Sequence, residues 1–331
     1  MSAKYSRIIS TGSALPAARI TNEDLARRLA ADGIETSDEW IRTRTGIEAR
    51  RFVNGTTETT TTLAAAAAQK ALEGGGVDPK TIDLIIVATT TPDQVFPSTA
   101  AAMQRLIGAA GCAAFDVQAV CAGFIYALNA ADAMLRAGPY QRALVIGAET
   151  MSRVIDMKDR ATCVLFGDGA GAVVLEASAK PGILAARMYA DGSYDENVLG
   201  LTARIDHGEL CGRPYINMDG RQVFKLAVDG LTSSAQEVAV LAGVDPQDVD
   251  VYIPHQANLR IMTMVAKKLG IPDERMIKTV SEQGNTSAAS VPLALDEAVR
   301  SGKISDGSLV LLQAVGAGMA WGSAIVRWRS E

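Results

Sequence analysis

One pattern of elements runs through the chain twice, and that repetition restricts its fold more than any other feature. In the first half, the apolar β-branched segment Asp83–Thr89 leads to Phe115–Cys121 at the start of an alanine-rich stretch, and then to Gly167–Leu175. In the second, Val249–His255 leads to Gly284–Ser290 at the start of another such stretch, and then to Gly316–Val326. Residue identity between the halves is weak, but the order matches: a glycine-rich turn and a final apolar strand close each half. Apolar strands alternating with helical stretches such as Thr61–Leu72 predict a layered α/β fold with sheets covered on both faces. The repeat predicts two duplicated units, residues 1–175 and 176–331. No linker, low-complexity tract or long charge run separates them.

Composition removes several functional classes. With 48% hydrophobic residues, 331 positions suffice for a large core, and disorder is excluded. A net charge of −5 argues against nucleic acid as a partner. No apolar run reaches the length of about 18 residues that a membrane helix needs. Met1–Ser6 leads into no apolar core of the kind a secretory signal has, so a cytoplasmic location is expected. Four cysteines, at 112, 121, 163 and 211, are too few for a disulfide framework and lack metal-site spacing. No metal or redox cofactor is expected. Gly167–Gly171 looks superficially like a dinucleotide loop, but a strand rather than a helix follows it, so a pyrophosphate site is rejected.

With only two histidines, at 207 and 255, imidazole chemistry has few places to reside. His207 lies in the polar stretch Arg204–Glu209. His255 ends a strand and precedes the helical stretch Asn258–Leu269, the position where open α/β sheets bind ligands. Cys121 sits at another strand-to-helix junction. Unpaired backbone N–H groups and the helix dipole there are expected to favour thiolate. The plainer reading of Cys121 is a small buried hydrophobe. Cys112 and Cys163 are expected in the core. Asn285 follows the strand-like Arg275–Val280 and opens a helix, where a helix cap is the plainer role. Gly316, Ala317 and Gly318 offer backbone N–H donors suited to an oxyanion, or form an ordinary hairpin turn.

Cysteine, histidine and asparagine in this chain order also fit a papain-like protease. The protease signature around the nucleophile is absent, however, and a duplicated α/β plan is foreign to that class.

Asp116–Leu128, Pro254–Arg260 and Gly284–Ser290 are similar to the three active-site motifs of β-ketoacyl-acyl-carrier-protein synthase III. Thr36–Gly46 and Phe166–Gly171 resemble further motifs of that family, and the likeness extends from about residue 5 to 328. It implies a thiolase-like αβαβα five-layered sandwich of two duplicated halves, and a homodimer. It also implies a decarboxylative Claisen condensation of an acyl-CoA primer, acetyl-CoA being typical, with malonyl-acyl carrier protein at the start of bacterial fatty-acid synthesis. The alternatives are a related thiolase-fold acyltransferase acting on another primer or acceptor in secondary metabolism, and a non-catalytic acyl-CoA or carrier-binding protein.

By the same resemblance, Cys121 is the nucleophile, and His255 and Asn285 hydrogen-bond the malonyl thioester oxygen. Trp40, Arg44 and Arg160 contact CoA, Asn258 its pantetheine arm, and Phe96 crosses a dimer interface to wall the acyl pocket. Lys225, Arg260, Lys267 and Lys268 form a basic patch for the acidic carrier protein. Three departures bear on primer choice: Val315 replaces a common Phe, Ala317 a frequent Gly, and Val120 a frequent Ala.

Overall fold

The structure is a computed structural model describing residues 5–194 and 197–329. Its first sheet has five strands, in the order Tyr5–Ala14, Asp168–Ser178, Arg142–Thr150, Leu84–Ala88, Ala113–Val117. All run one way except Asp168–Ser178, which is antiparallel to both neighbours. The second sheet has four, in the order Ile183–Ala190, Ala320–Arg327, Leu309–Gly316, Val251–Pro254. Here too the second strand in the order is the reversed one. The expected duplication is therefore visible in strand order and direction. The first sheet's last strand ends at Ser178 and the second sheet begins at Ile183, so residue 176 falls within a strand.

One expected strand is missing. Arg275–Val280 forms no strand; it is a short turn, a single parallel bridge between Met276 and Tyr252, and a one-turn helix from Val280. It stands where the first sheet has its fifth strand, and the carboxamide of Gln256 takes over the pairing. Gln256 Oε1 accepts from the N–H of Thr279 and Val280, while Nε2 donates to the carbonyls of Pro254 and Ile277.

Helices fill three layers. Thr60–Gly75 and Thr99–Ile107 cover the outer face of the first sheet, and Gly220–Ala242 with Leu259–Leu269 covers that of the second. Gly123–Ala137 and Ser290–Arg300 lie between the sheets and touch both, completing an αβαβα sandwich. The central helices are buried on nearly every side, as a position between two sheets requires, and each carries one buried carboxylate, Asp132 accepting from Ser6 and Asp296 from Thr11. Small residues let them sit close. A Cβ at Gly171 would lie 2.6 Å from Leu293 N. Both central helices begin at the strand ends that face the interface of the two halves.

Candidate active site

The first central helix follows a tight turn, Val120–Ala122, in which Val120 adopts φ 47°. A β-branched residue in this left-handed region is strained, by about 1–3 kcal/mol, and persists only where its surroundings enforce it. The enforcing neighbour is Gly316. A Cβ there would lie 2.7 Å from Cys121 N and 2.8 Å from Ala119 O, so the final hairpin packs directly on the backbone that carries the thiol. Ala317 is half-buried and Gly318 exposed, with φ 70°.

Cys121 is only 5% exposed. The expected bias towards thiolate does not hold in the free protein. Burial pushes the Cys121 thiol up to about 12; the Ser287 hydroxyl acts in the opposite direction, and the nearby Glu149 carboxyl adds to the rise. Glu149 is fully buried and accepts from Thr89, Thr90 and Thr91 and from the Ser287 hydroxyl at 3.0 Å. Burial raises its pKa against the pull of those hydrogen bonds.

Asn285 is tied to the first half through its backbone. Its N–H donates to Leu165 O, and its carbonyl accepts from Gly167 N–H. Its side chain closes a local turn, with Oδ1 accepting from Ser287 N–H at 2.9 Å. The amide orientation is thereby set, leaving Nδ2 as the free end with no protein partner among the described residues. The expected helix cap is not found: the one-turn helix Ser287–Ala289 and the helix from Ser290 have Thr286 and Ala289 at their caps, neither with a side-chain cap bond.

His255 follows the strand Val251–Pro254 and is 4% exposed. Its N–H donates to Gln313 O, and Nδ1 lies 2.6 Å from Ser290 Oγ. Burial lowers its pKa to about 3, so the imidazole is neutral at physiological pH. The turn 285–290 is therefore common ground: it touches the turn that carries Cys121, orients Asn285 and contacts His255. Glu149, Ser287 and Ser290 went unnoticed in the sequence. A lone carboxylate ending the apolar strand Arg142–Thr150 was the one available signal.

The chain also belongs, by comparison, with proteins of known structure. Residues 115–192 match the family model 3-oxoacyl-[acyl-carrier-protein (ACP)] synthase III, and residues 240–328 match its C-terminal counterpart. A 3-oxoacyl-[acyl-carrier-protein] synthase III from Aquifex aeolicus VF5 is 47% identical with a TM-score of 0.90, over 98% of this chain and 100% of that one. The chain belongs to the 3-oxoacyl-[acyl-carrier-protein] synthase III family. A β-ketoacyl-[acyl carrier protein] synthase III from Thermus thermophilus is 41% identical, TM-score 0.89, over 97% of this chain and 99% of that one. The priming β-ketosynthase of the R1128 polyketide biosynthetic pathway is 37% identical, TM-score 0.92, over 98% of this chain and 97% of that one. The protein is thus a condensing acyltransferase of the synthase III type, whose condensation initiates fatty-acid synthesis.

The remaining residues singled out in the sequence are spread over several elements. Trp40, on the helix Asp38–Thr45, has the guanidinium groups of Arg44 and Arg160 each 4.5 Å from its ring centroid. Asn258 caps the helix Leu259–Leu269 through Arg260 N–H and donates to Arg44 O, joining the Trp40 helix to the His255 loop. Lys225, Arg260, Lys267 and Lys268 are exposed on the two outer helices. Arg260 lies over the Phe224 ring, whereas Lys268 is paired with Asp229. Phe96 is 82% exposed. One expectation fails. Cys112 is half-buried, its thiol bonded to Ala109 O; of the cysteines other than 121, only Cys163 is buried. His207 is exposed, with Asp206 3.7 Å away.

Proposed function

We propose that Cys121, His255 and Asn285 carry out a two-stage condensation in which an acyl-CoA primer is loaded and then extended by malonyl-acyl carrier protein. In the first stage the Cys121 sulfur bonds to the primer carbonyl carbon. The backbone N–H groups of Cys121 and of the 316–318 loop hold the resulting oxyanion. The C–S bond to CoA then breaks, and the thiol proton leaves with CoA. In the second stage the malonyl thioester oxygen accepts from Asn285 Nδ2 and the His255 imidazole. The bond to the malonyl carboxylate breaks, releasing CO2 and leaving its electron pair as an enolate on that thioester. The enolate carbon attacks the acyl-Cys121 carbonyl, the C–S bond breaks, and the departing sulfur takes a proton from solvent as the 3-oxoacyl-carrier protein is released.

The orientation of Asn285 carries this reading. Its acceptor end is spent on Ser287, so its other end is a donor, as a developing enolate oxygen requires. Neutral His255 adds a second polar group without a competing buried charge.

The primer's CoA is assigned to Trp40, Arg44, Arg160 and Asn258, and the carrier protein to Lys225, Arg260, Lys267 and Lys268. A homodimer is proposed from the edge strand Ala113–Val117, paired on one side only, and from the exposed Val95 and Phe96. A second copy would pair with that edge and receive Phe96 at its acyl pocket. No helix among the described residues is long and apolar enough to cross a membrane. A cytoplasmic location is proposed from the dependence on acyl-CoA and a carrier protein.

Intact-mass spectrometry tests the reading. The chain is exposed to a panel of acyl-CoAs and then to malonyl-carrier protein. An acyl adduct that appears, vanishes on the second addition and is absent in Cys121→Ala is the expected result, and the preferred acyl mass identifies the primer. An undiminished adduct in Cys121→Ala overturns the assignment.

A further inference from the structure

We infer that Ser290 is a positioning residue whose hydroxyl proton fixes the tautomer of His255, leaving the imidazole proton on Nε2.

The argument is one of hydrogen-bond accounting. A neutral imidazole has one N–H and one bare nitrogen, and a hydroxyl has one proton and two lone pairs. Ser290 is fully buried, and its Oγ has two polar neighbours among the described residues: His255 Nδ1 at 2.6 Å and Gln256 N–H at 3.4 Å. The backbone N–H can only donate. If Nδ1 carried the proton, Oγ would face two donors, and the hydroxyl hydrogen would be buried with no acceptor. An orphaned buried donor is costly. If Ser290 donates to Nδ1 instead, Oγ accepts from Gln256 N–H and every group is satisfied. The second arrangement wins.

The ring has little freedom to escape this choice. His255 N–H is bonded to Gln313 O, and Ala257 N–H to His255 O. The Gln256 carboxamide pins the next residue to both sides of the loop through four hydrogen bonds. Ser290 opens a central helix wedged between the two sheets, so its own position is fixed by packing.

The consequence rests on the proposed function. An imidazole with Nε2–H is a donor suited to a developing enolate oxygen. It has no lone pair at Nε2 with which to take a proton from Cys121. Ser290 therefore commits His255 to the decarboxylation stage and removes it as a base for acylation.

Nitrogen NMR on protein labelled in the imidazole rings tests this directly, because there are only two histidines and the His207 side chain is 98% exposed. Unliganded wild type is expected to show a protonated Nε2 and a hydrogen-bonded, bare Nδ1 for the buried ring. A protonated Nδ1 overturns the proposal whatever the variants do. In Ser290→Ala the buried ring is expected to populate both tautomers. CO2 release from malonyl-carrier protein should fall about 10- to 100-fold, less than the ~10²–10³-fold expected for losing a donor outright, while acyl loading of Cys121 is unchanged. Ser290→Thr, which keeps the hydroxyl, is expected to restore both the signature and the rate. An unmoved ring signature in a folded Ser290→Ala overturns the role of Ser290. A moved signature with unchanged CO2 release instead overturns the donor role of His255.

Discussion

The turns Val120–Ala122 and Ser287–Ala289 occupy corresponding places in the two halves, and they differ where it matters. Each begins with a non-glycine residue in the left-handed region, φ 47° at Val120 and 51° at Ser287. Each leads into a central helix and is braced by a strand glycine of the opposite half: Gly316 against the first, Gly147 against the second. The position corresponding to Cys121 is Ala288, and the second turn instead carries polar groups at its margins, Asn285, Ser287 and Ser290. Duplication copied a backbone device. In the proposed mechanism one copy presents a nucleophile and the other orients hydrogen-bond donors.

The two bracing glycines offer the sharpest way to break that comparison. In Gly316→Ala the new Cβ meets Cys121 N at 2.7 Å, and in Gly147→Ala it meets Ala288 O at 2.2 Å. Both contacts are with backbone, so both variants are expected to lose about 1–3 kcal/mol of stability in denaturant titrations. Activity should divide them. Gly316→Ala is expected to slow acyl loading on the order of 10²-fold, because the nucleophile shifts. Gly147→Ala should act chiefly on CO2 release. Equal effects on both stages in both variants would erase the distinction.

Asn285→Ala removes a donor from the second turn and leaves the first turn intact. CO2 release is expected to fall about 10²–10³-fold, with acyl loading retained. Loss of loading, measured by intact mass, would show that the turns do not divide the labour.

A stability measurement sharpens the comparison from the side of His255. Burial holds its folded pKa near 3, below the unfolded value of 6.5. Between those values the unfolded chain binds a proton that the folded chain does not, so this group destabilises the fold as pH falls from 6.5 towards 3. The slope is about 1.4 kcal/mol per pH unit. His255→Gln should be flatter than wild type by that amount between pH 6 and 4. Identical slopes would mean that the folded protein accommodates the imidazolium.

The smallest effect is expected farthest from either turn. Arg260→Glu should weaken the apparent affinity for malonyl-carrier protein several-fold at low ionic strength, with the difference vanishing in high salt. An unchanged affinity at low salt would remove the basic face from the account.

The layered architecture was legible because its signal is periodic and repeated: apolar strands, alanine-rich helices and two glycine-rich closing hairpins. The strand expected at Arg275–Val280 failed for a local reason. Its backbone N–H groups at Thr279 and Val280 are satisfied by the Gln256 side chain rather than by a neighbouring strand, and a one-dimensional pattern cannot report that. The expected thiolate failed for a similar one. The helix-start argument for Cys121 was made from position alone, whereas the packed halves bury the sulfur beside the Glu149 carboxyl. Ser290 carried no sequence signal of function and Glu149 only its place in an apolar strand, since each acquires its partner only when residues 35 and 138 positions apart are brought together.

The division of labour between the two turns is tested most directly in His255→Ala, by following acyl loading from acyl-CoA and CO2 release from malonyl-carrier protein in the same preparation. The account predicts a normal acyl adduct on Cys121 by intact mass and CO2 release reduced about 10²-fold or more. Simultaneous loss of both in a folded protein, or normal CO2 release, would contradict it.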